Sequence, residues 1–404
     1  MSLRTRAARE VFLALCRKIR VGSIQVTTPD GRVHRFEGRR MPEICAEIEV
    51  ADDALFSNLL TEGDWGLGWG YVHQLWEAKD PGALPRVFML NEEVFRPFVR
   101  IGQCISPRMR RVLARSRRDL SSDEDVRRRT VGFAYDVGND FFRWMLGPSM
   151  VFTCAIWPHP DATLDEAQEN KLRIVTEKAR IEPQHRVVDL GCGWGALAGY
   201  IRKHTGARVK GLALSRNQID WAREHHPDCE FEYRDVASLD GCFDRIVSVG
   251  LAEHVGRANF PAFLRLVCDR LAPGGRFVMH TMQSYEGVLM ASRRDRWVSF
   301  GSVTMPNGDV PSDVDIVRAA LATGQLRILH TETYGLHYAR TGQAWLENLM
   351  AHRDAVKAAY SEEVYRTWVY SLAMGSAAME TGMTLAHFVF EKKPYGSSLR
   401  ESIL

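Results

Sequence analysis

From residue 163 onward, short apolar runs of strand length alternate with longer stretches of helical periodicity. That alternation predicts a parallel sheet covered by helices on both faces. Strands are expected at 186–190, 208–214, 230–234, 245–249 and 276–281, and strand-like segments near 327–333 and 387–391 bring the sheet to seven. Thr163 with Glu166, and Ser215 with Gln218, carry the three-residue spacing of capping boxes and mark helix starts. Pro273-Gly274-Gly275 supplies the turn into the fifth strand. A helical insert from about 313 to 375 would cover the substrate mouth.

The first 95 residues follow a different pattern and read as a small α+β module. A strand at 24–28, a turn at Pro29-Asp30-Gly31 and a partner strand at 32–36 form a hairpin, followed by a helix at 52–62 and a glycine- and tryptophan-rich stretch at 63–71. Residues 96–130 are polar and arginine-rich, the expected linker, which leaves 131–404 as the catalytic domain.

Composition narrows the setting. The chain is 45% hydrophobic and 25% charged, and no apolar run approaches the roughly 20 residues that span a bilayer. Arg4, Arg6, Arg9 and Glu10 interrupt any signal-peptide core. Eight cysteines without a C-x-x-C pair indicate neither a disulfide framework nor a zinc site, so a reduced cytoplasmic protein is expected. The net charge is only +3, yet Arg108, Arg110, Arg111, Arg115, Arg117 and Arg118 form an acid-free run and Arg127, Arg128 and Arg129 follow. Such clusters suit nucleic acid or an anionic lipid surface, or are simply solvated.

Candidate chemistry begins at Val187-Val188-Asp189-Leu190-Gly191-Cys192-Gly193-Trp194-Gly195, where an apolar strand ends in an acid and alternating glycines turn toward a helix. This D-x-G-x-G-x-G form differs from the dinucleotide fingerprint and points to S-adenosylmethionine (SAM). Ligands of open α/β sheets sit at the carboxyl ends of the strands, so Asp189, Gly191 and Gly193 are expected to line the crevice. Asp235 ends the third strand, where it either accepts from the adenine amino group or is a solvated turn residue. The second strand ends in Leu214-Ser215 rather than an acid, which leaves Gln218 as the nearest ribose partner.

Polar residues also interrupt apolar segments in four further places. They are Tyr135-Asp136-Val137-Gly138-Asn139-Asp140-Phe141-Phe142 leading into Phe152-Thr153-Cys154-Ala155-Ile156-Trp157, Gly250 to Gly256 with Glu253-His254-Val255, His280-Thr281-Met282, and Tyr334-Gly335-Leu336-His337-Tyr338. Singly each is weak, because a strand histidine or a buried cysteine commonly just packs. In order and together they resemble the cyclopropane-fatty-acyl-phospholipid synthase family, which includes the mycolic acid cyclopropane synthases.

The resemblance implies a class I SAM methyltransferase fold (Rossmann-like, mostly parallel) with a helical substrate cover and an N-terminal α+β module. It implies a cofactor site at Phe152, Thr153, Asp189, Gly191, Gly193, Leu214, Gln218, Asp235 and Gly250. It also implies a bicarbonate ion acting as base, held by Cys154, Glu253, His280, Tyr338 and the backbone at Met282. An alkene would attack the sulfonium methyl, and loss of a proton from the new methyl to a base within about 3 Å would close a cyclopropane. Aromatic faces at Phe152, Trp157, Tyr334 and Tyr338 would steady the passing cation. The implied partners are unsaturated phospholipid acyl chains and an anionic membrane surface, with a homodimer through the N-terminal module and no metal.

The chain departs from relatives in places. Gly66-Leu67-Gly68 is followed by Trp69, Gly70 and Tyr71 where many members carry acidic residues, and Met374-Gly375-Ser376 stands where some have a cysteine. The same methyl transfer with a hydride shift, or with proton loss from the chain, gives a methyl-branched or methylene product instead. Two other classes stay open: a small-molecule amine methyltransferase, and a nucleic-acid-binding protein using the arginine runs. The latter is disfavoured because the runs lack interleaved aromatics.

Overall fold

A computed structural model describes residues 3–95, 137–284, 300–304 and 310–394. The arginine runs at 108–118 and 127–129 and the pair Tyr135-Asp136 lie outside the described residues. The chain divides into two compact units. One takes residues 1–118, 287–305 and 342–382; the other takes 119–286, 306–341 and 383–404.

In the first unit a four-stranded sheet runs in the order β2-β1-β3-β4. β1 (Val21–Thr27) and β2 (Val33–Glu37) form the expected antiparallel hairpin, and β3 (Arg40–Val50) pairs parallel to β1. β4 is the short strand Trp76–Glu77. The alternation of buried and half-buried positions along β1 puts Ile24 and Val26 on the core face. Arg9 is not a free surface charge: its guanidinium lies 3.7 Å from Asp30 and 3.5 Å from Asp53.

The glycine-rich stretch forms a helix, Asp64–Val72, and Gly68 is where aromatic rings come closest: a Cβ there would sit 2.4 Å from the Phe300 ring and 2.7 Å from Tyr370. Residues 342–382, expected inside the catalytic domain, belong to this unit instead. The reason is the buried face of the helix Glu362–Thr381. Its Tyr370 packs against Tyr71, Trp76 and Phe300 with ring centroids 5.8, 6.2 and 5.3 Å away, and Arg366 Nε donates to the Tyr71 carbonyl at 2.7 Å.

The second unit holds a seven-stranded sheet in the order β10-β11-β9-β8-β5-β6-β7. Its strands are β5 (Arg186–Leu190), β6 (Arg208–Ala213), β7 (Glu230–Tyr233), β8 (Phe243–Val249), β9 (Leu271–Ser284), β10 (Leu326–Thr333) and β11 (Met383–Lys392). β5 to β9 pair in parallel, and β11 inserts antiparallel between β9 and β10. Because successive residues point to opposite faces, Val187, Val247 and Val278 enter one core and Val188, Ile246 and Phe277 the other. Strand order reverses at β5, with β6 on one side and β8 on the other, so the crevice above β5 is the natural ligand site.

Candidate active site

The turn after β5 is pinned from below, with the N–H groups of Gly191 and Cys192 both donating to the Leu212 carbonyl at 2.9 and 3.0 Å. Gly193 and Gly195 both take positive φ, at 53° and 88°, but for different reasons. A Cβ at Gly195 would stand 2.9 Å from Ala222 and 3.0 Å from His226 and Phe231, so that glycine serves packing. A Cβ at Gly193 would meet nothing within 4 Å. It faces a cavity of about 970 Å³ of atom-free space, part of it open to solvent.

Eight of the nine residues expected at the cofactor line this cavity: Phe152, Thr153, Asp189, Gly191, Gly193, Leu214, Gln218 and Gly250. Asp235 does not. Its neighbours Arg234 and Val236 line the wall, while its own Oδ1 accepts from the Ala237 N–H at 2.8 Å and caps the turn Val236–Ser238. Its position is what an N-capping aspartate requires.

The Val151–Thr153 wall is fastened by the helix Leu164–Ala179, which starts at the expected Thr163–Glu166 capping box. Gln168 Nε2 donates to the carbonyls of Val151 at 3.3 Å and Thr153 at 2.9 Å. On the same helix Lys171, which the sequence reading missed, is fully buried, lines the cavity and donates to Thr153 Oγ1 at 2.8 Å. Its signal was present: Ala167, Lys171, Val175 and Ala179 follow the four-residue spacing of a core stripe, and a lysine there is out of place. Burial pulls its amine down to about 7, against the opposing pull of Cys154 and Asp189. Burial likewise pushes the Asp189 carboxyl up to about 7, with Lys171 opposing, and Asp189 Oδ2 has no partner among the described residues. An unsatisfied buried carboxylate oxygen and a buried amine in one cavity suit a ligand carrying both charges, such as an amino-acid group.

None of the expected base-holding residues is part of the lining of this cavity. Glu253, buried in the short helix Ala252–Val255 after β8, accepts from the Thr281 hydroxyl at 2.8 Å and from the Met282 N–H. Burial raises its carboxyl. A Cβ at Gly250 would stand 2.4 Å from Thr153 Cγ2 and 3.8 Å from Glu253 Oε1, so this carboxylate reaches the cavity rim. His280 is buried on β9; its Nδ1 lies 2.7 Å from His387 Nε2, and its own Nε2 has no partner among the described residues. Cys154 is buried, and burial raises its thiol. Tyr338 is half-buried in the first turn of the helix Gly335–Ala351.

Two aromatic residues expected as liners are committed elsewhere. Trp157 Nε1 donates to the His337 carbonyl and to Thr341 Oγ1, both at 3.1 Å, with Arg340 stacked 3.7 Å above the ring. The Tyr334 ring packs at a tilt against His387, with centroids 4.8 Å apart, and its hydroxyl accepts from Lys178 at 3.1 Å. Among the described residues no cluster of metal-ligating side chains occurs, and no helix is long and apolar enough to cross a membrane.

A seven-stranded sheet with one antiparallel strand and a glycine turn over β5 defines a SAM-dependent methyltransferase of class I fold. The family model for mycolic acid cyclopropane synthetase matches residues 122–388, and the chain belongs to that family. It is 34% identical over 271 residues to a probable fatty acid methyltransferase of Mycobacterium tuberculosis, covering 64% of this chain and 61% of the relative, which is less than two thirds of that protein's length. It is 31% identical over 359 residues to the cyclopropane-fatty-acyl-phospholipid synthase of Escherichia coli strain K12, covering 86% of this chain and 88% of the relative. Among solved structures, the mycolic acid cyclopropane synthase CmaA1 complexed with SAH and CTAB superposes with a TM-score of 0.62 at 28% identity. That match covers 66% of this chain and 98% of the other. The protein is a SAM-dependent transferase.

Proposed function

We propose that this enzyme adds a one-carbon unit to the double bond of an unsaturated fatty acyl chain carried on a phospholipid and closes a cyclopropane, with bicarbonate as the base. His280 Nε2 carries the reading. It is buried, without a partner among the described residues, and sits on the strand that holds Glu253 through Thr281 and Met282. A small oxyanion bearing one hydroxyl suits such a pair, accepting from a ring N–H and donating to a carboxylate. Cys154, Tyr338 and the backbone at Met282 complete the holders in this reading.

SAM, when bound, supplies a methyl group activated on a sulfonium. The cavity residues would hold it, with Lys171 facing the amino-acid carboxylate and Asp189 the ammonium. Asp235 would act only at the edge, through the turn it caps.

The test is incubation with SAM and vesicles of unsaturated phospholipid, with and without bicarbonate. A gain of one CH₂ per acyl chain with cyclopropyl proton signals, dependent on bicarbonate, supports the proposal. A second reading, a methyl-branched or methylene product, is favoured by the similarity to a probable fatty acid methyltransferase. The same mass gain without cyclopropyl signals would select it. Transfer to an amine with no acyl mass gain would overturn both.

The proposal extends to location. The arginine runs at 108–118 and 127–129 would hold anionic headgroups at the inner face of the membrane, and the N-terminal module would pair two copies. Co-sedimentation with anionic but not zwitterionic vesicles, and a dimer mass in light scattering, are the expected results.

A further inference from the structure

Antiparallel pairing of β9 with β11 sets His280 directly opposite His387, and their rings meet at 2.7 Å between Nδ1 and Nε2. Beyond His387 stands Lys178, whose Nζ lies 3.0 Å from His387 Nδ1, 2.6 Å from Glu332 Oε2 and 3.1 Å from the Tyr334 hydroxyl. The four groups form one line, from a buried ring nitrogen without a partner to a carboxylate at the surface.

The direction of this line is fixed by counting protons. A lysine ammonium has three N–H donors and no acceptor, and here all three are taken. His387 Nδ1 must therefore accept. Burial, with Lys178 adding to it, lowers the His387 ring to about 3, and burial lowers His280 as well, so each ring carries a single N–H near neutral pH. For His387 that proton is on Nε2, and it donates to His280 Nδ1. His280 is left with its proton on Nε2, the atom that has no partner.

We propose that Lys178 and His387 are positioning residues that hold His280 as an obligatory hydrogen-bond donor toward the base site. The inference rests on the bicarbonate reading above and deepens it. His280 cannot itself take the proton released from the new methyl group, because Nε2 is already protonated and Nδ1 is already accepting. It can only orient an anion whose oxygen accepts from Nε2, so that the proton passes to that anion.

The experiment uses the full chain labelled with ¹⁵N-histidine, with ring signals assigned by loss in His280→Gln and His387→Gln. Both rings are expected as neutral Nε2–H tautomers. A His280 ring protonated on Nδ1, or cationic, overturns the proposal whatever the variants do. The second arm compares His387→Gln with His387→Leu and Lys178→Met. Glutamine keeps the polarity, its oxygen accepting from Lys178 and its amide donating to His280, so turnover should stay within about threefold of wild type. Leucine, and methionine at 178, should raise the half-saturating bicarbonate concentration by about tenfold, the effect of one lost hydrogen bond, with the KM for SAM unchanged. Equal losses in the glutamine and leucine variants would refute the positioning role. Wild-type turnover indifferent to bicarbonate would instead sink the base assignment, and the ring signals would still decide the tautomer.

Discussion

The Thr281 hydroxyl lies 2.8 Å from Glu253 Oε2 and ties the short helix after β8 to the C-terminal end of β9. With the Met282 N–H on the same carboxylate, two donors from one strand fix a buried acid that would otherwise be costly to keep charged. One oxygen of Glu253 is thereby held on β9 while the other reaches the cavity rim at Gly250.

Removing the hydroxyl while keeping the shape should therefore leave Glu253 present but loosely aimed. Thr281→Val is expected to lower kcat by about ten- to a hundredfold, the usual effect of losing a supporting partner, with SAM affinity changed by less than about twofold. Thr281→Ser should restore most of the rate. Steady-state one-carbon transfer from SAM alongside calorimetric SAM binding separates the two effects. Equal loss of SAM binding would show that Thr281 supports the cavity rather than the acid.

The two glycines of the β5 turn should respond differently to the same substitution. Gly193→Ala adds a methyl to open space at φ 53°, so the expected loss of stability is the backbone strain alone, about 1–2 kcal/mol. SAM affinity should fall at least about tenfold, because that space is where the ligand approaches the backbone. Gly195→Ala meets at least as much strain, at φ 88°, and also drives a methyl into Ala222, His226 and Phe231, an overpacking cost of about 1–3 kcal/mol more. Thermal unfolding of the SAM-free proteins should rank wild type, Gly193→Ala, Gly195→Ala. A reversed order would contradict the assignment of one glycine to the ligand and the other to the fold.

These contrasts show which parts of the site could be read along the chain. The central strands β5, β6 and β8 were legible because each carries apolar residues bounded by turn residues, and part of the cavity lining because it clusters in the loops that end them. His387 was not legible as a partner of His280. Their pairing depends on β11 entering between β9 and β10, a contact across 107 residues that no local pattern announces. Tyr370 and its helix were hidden for the same reason: its contacts are Tyr71, Trp76 and Phe300, far from it in sequence. Lys171 is a charge in an apolar stripe but belongs to no motif, so its place in the cavity wall shows only in the fold.

The Lys171–Asp189 arrangement gives the unliganded protein a pH signature with two slopes. Asp189 is raised from 3.8 to about 7, so the folded state holds its proton more tightly than the unfolded chain. The stability this contributes is complete below pH 3.8 and is lost as pH rises toward 7. Lys171 is lowered from 10.5 to about 7, so the unfolded chain binds its proton more tightly, and stability is lost as pH falls from 10.5 toward 7. Both penalties are largest near pH 7. Asp189→Asn should gain Tm relative to wild type progressively between pH 4 and 7, and the advantage of Lys171→Met should shrink between pH 7 and 10. Shifts of this size correspond to about 4–5 kcal/mol each as an upper bound. Both variants should bind SAM at least about tenfold more weakly at pH 7, since each removes a charge the ligand would satisfy. Flat Tm differences across these windows would mean that neither group carries a burial penalty, and unchanged SAM binding would remove both from the cofactor site.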